Sequence, residues 1–207
     1  MSKTIIAFTG LAGSGKDTAA KVLLDRGFTH ISFAQPLKEV CAKASGLDIS
    51  YFNDPALKDA RLDLPVTLTH KELWLVYSKL GGRRRAPFDF KDKTFFTPRE
   101  ILQYIGTDLG RNMIHKDVWV SQMKKRMDEV PGNIVITDLR FQNESDLIGQ
   151  VGGWVVRVFR PGMIRGTHES ETVIMDVLVD IEIINNGTID DLRKEVIKVL
   201  DQYEEEG

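Results

Sequence analysis

Short apolar runs alternate with amphipathic stretches along most of the chain. Residues 5–8 and 134–136 are continuously apolar, which predicts strands that are buried on both faces, as in a parallel sheet. Further strands are predicted at 30–33, 153–159 and 181–184. Helical spacing of apolar residues predicts helices at 19–24, 36–44, 101–109 and 189–203. This order predicts an α/β fold with about five mainly parallel strands and helices on both faces, which binds ligands beyond the carboxyl ends of the strands.

A glycine-rich stretch lies between the first predicted strand and the first predicted helix, with the sequence Gly10-Leu11-Ala12-Gly13-Ser14-Gly15-Lys16-Asp17-Thr18. Strand, glycine loop and helix form the context of a phosphate-binding loop, in which backbone N–H groups and a helix N-terminus surround an anion. Lys16 is expected to reach the β- and γ-phosphates of a nucleotide. The alternative is a glycine-rich turn that binds nothing, which the flanking strand and helix disfavour. The stretch therefore predicts a P-loop NTPase fold.

Two carboxylates are candidates for holding magnesium. Asp17 stands where phosphate loops carry a hydroxyl that ligates magnesium, and the hydroxyl follows one residue later at Thr18. A carboxylate beside a triphosphate is repulsive unless a cation lies between them, so Asp17 is predicted to contact the metal through water or to pair with an Arg or Lys. Asp138 ends a buried strand at the same sheet edge as the loop and is expected to orient hydrated magnesium. Arg140 is expected to face the same crevice.

The middle of the chain has a different character. Residues 47–96 are polar and irregular, and they are predicted to form an insertion on a single P-loop domain that spans residues 1–207. The run Arg83-Arg84-Arg85 within this segment is locally basic. It is interpreted either as a solvated loop or as a mobile loop that meets a phosphate-bearing ligand.

A helix is well signalled after residue 96. Thr97-Pro98-Arg99-Glu100 places a hydroxyl at the N-cap, a proline at the first position and a glutamate at the third, which is a capping box. Gly106 and Gly110 lie opposite the apolar stripe of this helix, and each glycine costs about 1 kcal/mol relative to alanine. Either another helix or a flat ligand such as a nucleobase is expected to approach them, with Arg99 or Arg111 near its phosphate.

A polar loop follows the predicted strand at 153–159. Residues 160–172 contain glycines on both sides of Arg165, and they are predicted to form a lid in which Arg160 and Arg165 close over a triphosphate. His168 lies in the same loop, but a phosphate acceptor needs no strong general base, so a catalytic role for this histidine is disfavoured.

Composition limits the remaining function classes. The chain has 207 residues, with 42% hydrophobic and 28% charged residues, as in a globular protein. A net charge of −2 gives no global field for nucleic acid, so nucleic acid is disfavoured as a partner. Cys41 is the single cysteine and cannot form an internal disulfide, which is consistent with a reducing cytoplasm. No signal peptide and no run of membrane-spanning length is seen, so no membrane association is expected.

Several motifs resemble known kinases. The loop Gly10–Thr18 and the segment Ser32-Phe33-Ala34-Gln35-Pro36-Leu37-Lys38 resemble nucleoside monophosphate kinases. A narrower resemblance, to the bacteriophage-type deoxynucleoside monophosphate kinases, rests on Thr97–Glu100 with Gly106–Arg111, on Asp117–Trp119, on Thr137–Glu144 and on Asn185–Thr188. The matching blocks span residues 5 to about 195 but leave the segment 47–96 uncovered.

This resemblance implies transfer of the γ-phosphoryl group of ATP to a deoxynucleoside 5′-monophosphate, with magnesium, in a homodimer in the cytoplasm (of the host, if the protein is viral). The residues assigned to ATP are Gly13, Ser14, Gly15, Lys16, Asp17, Thr18 and Arg160. Those assigned to the acceptor are Lys38, Arg99, Gln103, Arg111 and Arg140. Asp17 and Asp138 are assigned to magnesium, and Lys16, Asp138, Arg140 and Arg165 to catalysis.

Three other functions stay open at this point. A dephospho-coenzyme A kinase carries the same loop and a similar late strand, and differs in its acceptor. A nucleotide-binding switch without enzymatic activity retains nucleotide and transfers no phosphoryl group. The loop at Arg83–Arg85 is the candidate element for a protein that binds nucleic acid.

Overall fold

The central element is a parallel sheet, seen in a computed structural model that describes residues 3–83, 89–163 and 174–206. The strands of these residues are β1 (Ile5–Thr9), β2 (Thr29–Ile31), β3 (Val66–Leu68), β4 (Lys93–Phe95), β5 (Ile134–Ile136), β6 (Trp154–Phe159) and β7 (Ile181–Ile184). The α-helices are α1 (Lys16–Leu24), α2 (Gln35–Ser45), α3 (Ser50–Asn53), α4 (Pro55–Lys58), α5 (His70–Lys79), α6 (Pro98–Gln103), α7 (Val118–Glu129), α8 (Gln142–Gln150) and α9 (Ile189–Glu206). A π-helix covers Tyr104–Ile114.

The chain divides into two compact units. The first contains residues 1–33 and 124–207, and the second contains residues 34–123. The segment 47–96, predicted as an insertion, falls within the second unit.

The first unit contains five strands in the order β2-β5-β1-β6-β7, and every neighbouring pair is parallel. Its strands are the five that the apolar runs predicted, so the predicted α/β P-loop architecture is confirmed. Ile6 and Phe8 point to a core that α1 and α9 cover, whereas Ile148 of α8 lies near Ile5 on the opposite face. Both faces of the sheet are therefore buried, which explains why its strands are continuously apolar.

The second unit is mainly helical, with β3 and β4 forming an antiparallel pair. Its core is formed by side chains of α2, α5, α6 and the π-helix, among them Cys41, Leu73, Tyr77, Ile101 and Leu109. Cys41 is fully buried, and this burial raises the pKa of its thiol well above the usual range. It is therefore a small core residue of the second unit.

The helix predicted after Thr97 begins as expected but changes its hydrogen-bond register. Thr97 accepts a hydrogen bond from the Glu100 N–H, and Glu100 accepts hydrogen bonds from the N–H groups of Phe96 and Thr97, which confirms the capping box. From Tyr104 onwards, however, the backbone forms a π-helix. A π-helix is usually a single turn at a functional site, so eleven residues of it need support from their surroundings.

Side chains of neighbouring helices provide that support at the two glycines. A Cβ atom at Gly106 would lie 2.8 Å from Cδ2 of Leu37, and one at Gly110 would lie 3.0 Å from Nε1 of Trp119. The Trp119 Nε1–H also donates to the carbonyl oxygen of Gly106 at 2.8 Å. Of the two sequence-based alternatives, the approach of another helix is therefore the one seen at Gly106 and Gly110.

We expect Gly110→Ala to lower the free energy of unfolding by about 2 kcal/mol, because the added methyl group would overpack against Trp119 and the Ile105 carbonyl oxygen. Gly149→Ala in α8 is the matched control, since a Cβ there meets nothing within 4 Å. That variant should gain about 0.5–1 kcal/mol, as helical glycines replaced by alanine do. Urea unfolding followed by circular dichroism measures both. Equal midpoints for wild type and Gly110→Ala would show that the glycine is not needed there.

Candidate active site

The loop between β1 and α1 has a backbone that only glycine adopts readily. Gly13 has φ +77° and Gly15 has φ +111°. There is also no room for a side chain at Gly15, because a Cβ there would lie 2.6 Å from Nδ2 of Asn185. Gly13 and Gly15 are thus both required by the local conformation.

Asn185, just after β7, anchors this loop from the far end of the chain. Its Nδ2 donates to the carbonyl oxygen of Ser14 at 2.8 Å. Within the loop, the Ser14 N–H donates to the Leu11 carbonyl oxygen at 3.1 Å. In the sequence, Asn185 stood out only as part of the block Asn185–Thr188 that resembles the bacteriophage-type kinases. Its position after a parallel strand, at the edge where the loop lies, is the signal that could have identified it.

Lys16 is the first residue of α1, and its ammonium group lies over the loop. Nζ donates to the carbonyl oxygens of Gly10 and Leu11, both at 2.7 Å. These contacts hold the positive charge beside the inward-facing backbone of the loop and at the N-terminus of α1. Both the helix dipole and the lysine therefore favour an anion at this place.

The loop forms one wall of a cavity of about 300 Å³ in the first unit. The lining residues are Gly10, Leu11, Ala12, Gly13, Lys16, Asp17, Thr137, Asp138, Leu139, Arg140 and Ile174. The cavity thus brings together Gly13, Lys16, Asp17, Asp138 and Arg140 of the residues predicted from sequence. Ser14, Gly15 and Thr18 adjoin it in the loop and the first turn of α1 without lining it.

Hydrogen bonds of three side chains hold the segment after β5 in place. Oδ1 of Asp138 accepts from the Phe33 N–H at 2.8 Å. Thr9 at the end of β1 donates its buried hydroxyl to the carbonyl oxygen of Leu139 at 2.9 Å. The nearly buried carboxylate of Glu144 accepts from the N–H groups of Arg140 and Phe141, at 2.8 and 3.2 Å. Asp138 therefore projects from a fixed backbone.

Glu144 is a supporting residue that the sequence analysis did not assign. It is the third residue of α8, where a glutamate can reach back to the N–H groups that precede the helix. That spacing is visible in the sequence. It was missed because Phe141, at the position before the helix, cannot supply the hydroxyl of a capping box.

The donor set of the cavity fits magnesium. Magnesium binds oxygen ligands, and in phosphate sites it uses one or two carboxylates while waters and phosphate oxygens complete the octahedron. Asp17 and Asp138 line the cavity together. Within residues 3–83, 89–163 and 174–206 no group of three or more His, Cys, Asp or Glu residues could form an all-protein metal cage. Two carboxylates beside a phosphate loop are the arrangement that a partly hydrated magnesium ion uses.

The residues predicted to bind the acceptor lie mainly in the second unit. Lys38 is half-buried in α2, Gln103 is exposed in α6, and Arg111 is half-buried in the π-helix. Arg99 in α6 forms an ion pair with Asp59, and the hydrogen bond from Arg99 lowers the pKa of the Asp59 carboxyl group.

The remaining predicted residues are only partly described. Arg160 is exposed and directly follows β6. Arg165, His168 and most of the predicted lid at 160–172 lie outside the described residues, as do Arg84 and Arg85. In the described part of the chain, no helix combines the length and apolar character needed to span a membrane.

The chain is similar to a protein family, to viral proteins and to solved structures. Residues 76–196 match the family model for deoxynucleotide monophosphate kinase. A putative deoxynucleotide monophosphate kinase from Acanthamoeba polyphaga mimivirus is 32% identical, over 95% of this chain and 96% of the relative. Deoxynucleoside-5'-monophosphate kinase of Escherichia phage T5 is 27% identical, over 95% and 96%. The solved dephospho-CoA kinase of Campylobacter jejuni superposes with a TM-score of 0.49 at 15% identity, over 98% of this chain and 97% of that chain.

The family model covers more than half of the chain, and the mimivirus relative aligns along almost all of it. The resemblance based on separate motifs is therefore confirmed over 95% of the chain, including much of the segment that those motifs left uncovered. The chain belongs to the deoxynucleotide monophosphate kinase family.

Proposed function

We propose that the protein transfers the γ-phosphoryl group of ATP to a deoxynucleoside 5′-monophosphate, giving the diphosphate and ADP. The observation that carries this proposal is the cavity in which a phosphate loop, Lys16 and Asp138 come together. The family and the names of the mimivirus and phage relatives support the nature of the acceptor.

The first unit is proposed to bind ATP. The loop from Gly13 to Gly15 and the Lys16 ammonium would bind the phosphates, and Thr18 would hold a phosphate oxygen. Arg160, with Arg165 in a lid at 160–172, would help to exclude water and so suppress hydrolysis of ATP. Phosphoryl transfer is mainly a matter of positioning and charge stabilisation, so these groups are sufficient without a covalent intermediate.

Magnesium is proposed as the metal that binds in the cavity beside the glycine loop. Asp138, with its oxygen fixed by the Phe33 N–H, would orient the hydrated ion, and Asp17 would contact it through water. When bound, magnesium supplies positive charge between the phosphate oxygens. Arg140 would neutralise charge on the transferred group or on the acceptor phosphate.

The second unit is proposed to contain the monophosphate-binding region, which includes residues 47–96. Lys38, Arg99 and Arg111 are cations suited to a phosphate, and Gln103 carries an amide that can pair with a nucleobase. The acceptor phosphate is already an anion near neutral pH, so no general base is required. This removes the need for a catalytic histidine such as His168.

We also infer a homodimer and a location in the cytoplasm, which would be that of the host if the protein is viral. The relatives from a virus and a phage support the second inference, and the family resemblance supports the first. Small nucleotides are the proposed partners. Light scattering of the purified protein tests the oligomeric state.

The proposed reaction is tested with a panel of acceptors. The wild-type protein with ATP and magnesium is offered dGMP, dTMP, dAMP, dCMP, the matching ribonucleotides and dephospho-coenzyme A, and ADP formation is measured. We expect transfer to at least one deoxynucleoside monophosphate. Transfer to dephospho-coenzyme A alone would replace the proposal by the competing kinase activity. Tight nucleotide retention without any transfer would indicate a switch.

A further inference from the structure

The side chain of Arg99 is held by one carboxylate, that of Asp59. Nε of Arg99 donates to Oδ1 of Asp59, and Nη2 donates to Oδ2 at 2.8 Å. This side-on pairing uses one edge of the planar guanidinium and leaves the N–H groups of the Nη1–Nη2 edge directed away from Asp59. In the described part of the chain, Asp59 is the only hydrogen-bond partner of the Arg99 side chain. Arg99 therefore keeps a second edge that can bind another oxyanion.

Helix stability does not explain why an arginine occupies position 99. It is the second residue of α6, where the partial positive charge of a helix N-terminus disfavours a cation. The capping box of Thr97 and Glu100 already satisfies that helix end. A residue that breaks a local rule without a structural gain is a candidate for a functional role.

The segment that carries Asp59 is attached to the start of α6 at further points. The Leu62 N–H donates to the carbonyl oxygen of Phe96 at 2.9 Å. The guanidinium of Arg61 lies 5.0 Å from the centre of the Phe96 ring. The Asp59 carboxylate is thus presented by a backbone with its own contacts to the residue just before the capping box of α6.

We propose that Asp59 is a positioning residue for the acceptor, which holds Arg99 so that its Nη1–Nη2 edge faces the phosphate of the deoxynucleoside monophosphate. The inference rests on the proposed function, because it takes the acceptor as the ligand of Arg99. A bidentate arginine fixes both the place and the orientation of a phosphate, provided that the guanidinium is itself held in one rotamer.

The same geometry has a competing explanation, which predicts the opposite change in acceptor affinity when Asp59 is removed. If Asp59 only neutralised Arg99, then its carboxylate would compete with the acceptor phosphate, and its removal would tighten acceptor binding. The side chains of Arg99 and Asp59 are 47% and 57% exposed, so the pair contributes little to stability in either case. Acceptor affinity is therefore the quantity that distinguishes the two explanations.

Steady-state kinetics of Asp59→Asn with dGMP as acceptor provide the test. We expect the KM for dGMP to rise about tenfold, while kcat changes less than about threefold and the KM for ATP stays the same. Asp59→Glu, which keeps the carboxylate, should recover part of the affinity. In an Arg99→Ala background, Asp59→Asn should have no further effect. An unchanged or lower KM for dGMP, or an equal rise without Arg99, would overturn the proposal.

A matched control and a binding assay complete the design. Asp190→Asn removes the partner of Arg193 in another exposed ion pair, in α9, and should leave both KM values unchanged. Calorimetric titration of dGMP into each variant measures binding without phosphoryl transfer. If the wild type binds dGMP more tightly than Asp59→Asn does but phosphorylates no monophosphate, the proposed function fails and the role of Asp59 stands. A wild type that binds none of the four deoxynucleoside monophosphates of the panel would overturn both.

Discussion

Lys16→Ala is expected to lower kcat for phosphoryl transfer by about a thousandfold, which is the upper range for loss of one group that stabilises transition-state charge. The Lys16 ammonium lies over the glycine loop, where it donates to the carbonyl oxygens of Gly10 and Leu11. A lysine held there can move from these neutral oxygens to the more negative oxygens of a triphosphate. Alanine at this position keeps α1 but removes the only cation that the first turn of α1 supplies.

The measurement is the initial rate of ADP formation with saturating ATP, magnesium and dGMP. Lys21→Ala is the matched control, since Lys21 lies in the same helix and forms an exposed ion pair with Asp25. It should retain wild-type kcat. The free energy of unfolding, measured by thermal denaturation, should change by only about 1 kcal/mol in either variant, because both side chains reach solvent. Full activity in Lys16→Ala would exclude this lysine from the reaction.

Asp138→Asn is expected to lower kcat by about a hundredfold at a magnesium concentration that saturates the wild type, and to raise the concentration needed for half-maximal activity. The substitution is conservative in shape. Asparagine keeps an oxygen that can accept from the Phe33 N–H, as Oδ1 of Asp138 does at 2.8 Å, but it removes the negative charge. Any loss of activity therefore measures the contribution of the negative charge rather than that of the contact with the Phe33 N–H.

A magnesium titration of the initial rate measures this effect. Asp146→Asn in α8 serves as control, because Asp146 is exposed and, among the described residues, accepts a hydrogen bond only from Gln142 of its own helix. Its magnesium curve should overlay that of the wild type. If the Asp138→Asn curve also overlaid it, then Asp138 would have no role in holding the metal.

Local sequence signals were sufficient to predict the strands of the sheet and the loop that forms one wall of the cavity. The apolar runs around Ile6 and Val135 are readable because strands covered on both faces have no polar positions. The glycine loop and Asp138 are readable because each begins within two residues of the end of a parallel strand, so their edge is fixed by the topology. Boundaries were less exact, since β2 ends at Ile31 where the prediction extended to Phe33.

Features that depend on distant residues were not readable. The hydrogen bond from Asn185 to Ser14 joins positions 171 residues apart, and the pairing of Asp59 with Arg99 joins positions 40 apart. The π-helix is a third case. Its apolar residues have the spacing of an ordinary α-helix. The π-helical hydrogen bonds occur together with contacts of Gly106 with Leu37 and Trp119, and of Gly110 with Trp119. Short-range propensity carries no information about such contacts.

The position of β1 in the sheet has a consequence for the order of events during synthesis. β1 pairs with β5 and β6, so after its synthesis this strand waits for partners that begin at Ile134 and Trp154. Residues 34–123 are continuous and can close their own core before that point. The glycine loop receives its anchor from Asn185, close to the end of the chain. We therefore expect a nascent chain to acquire the helical unit first, whereas the loop that binds phosphate takes shape only after Asn185 has been synthesised.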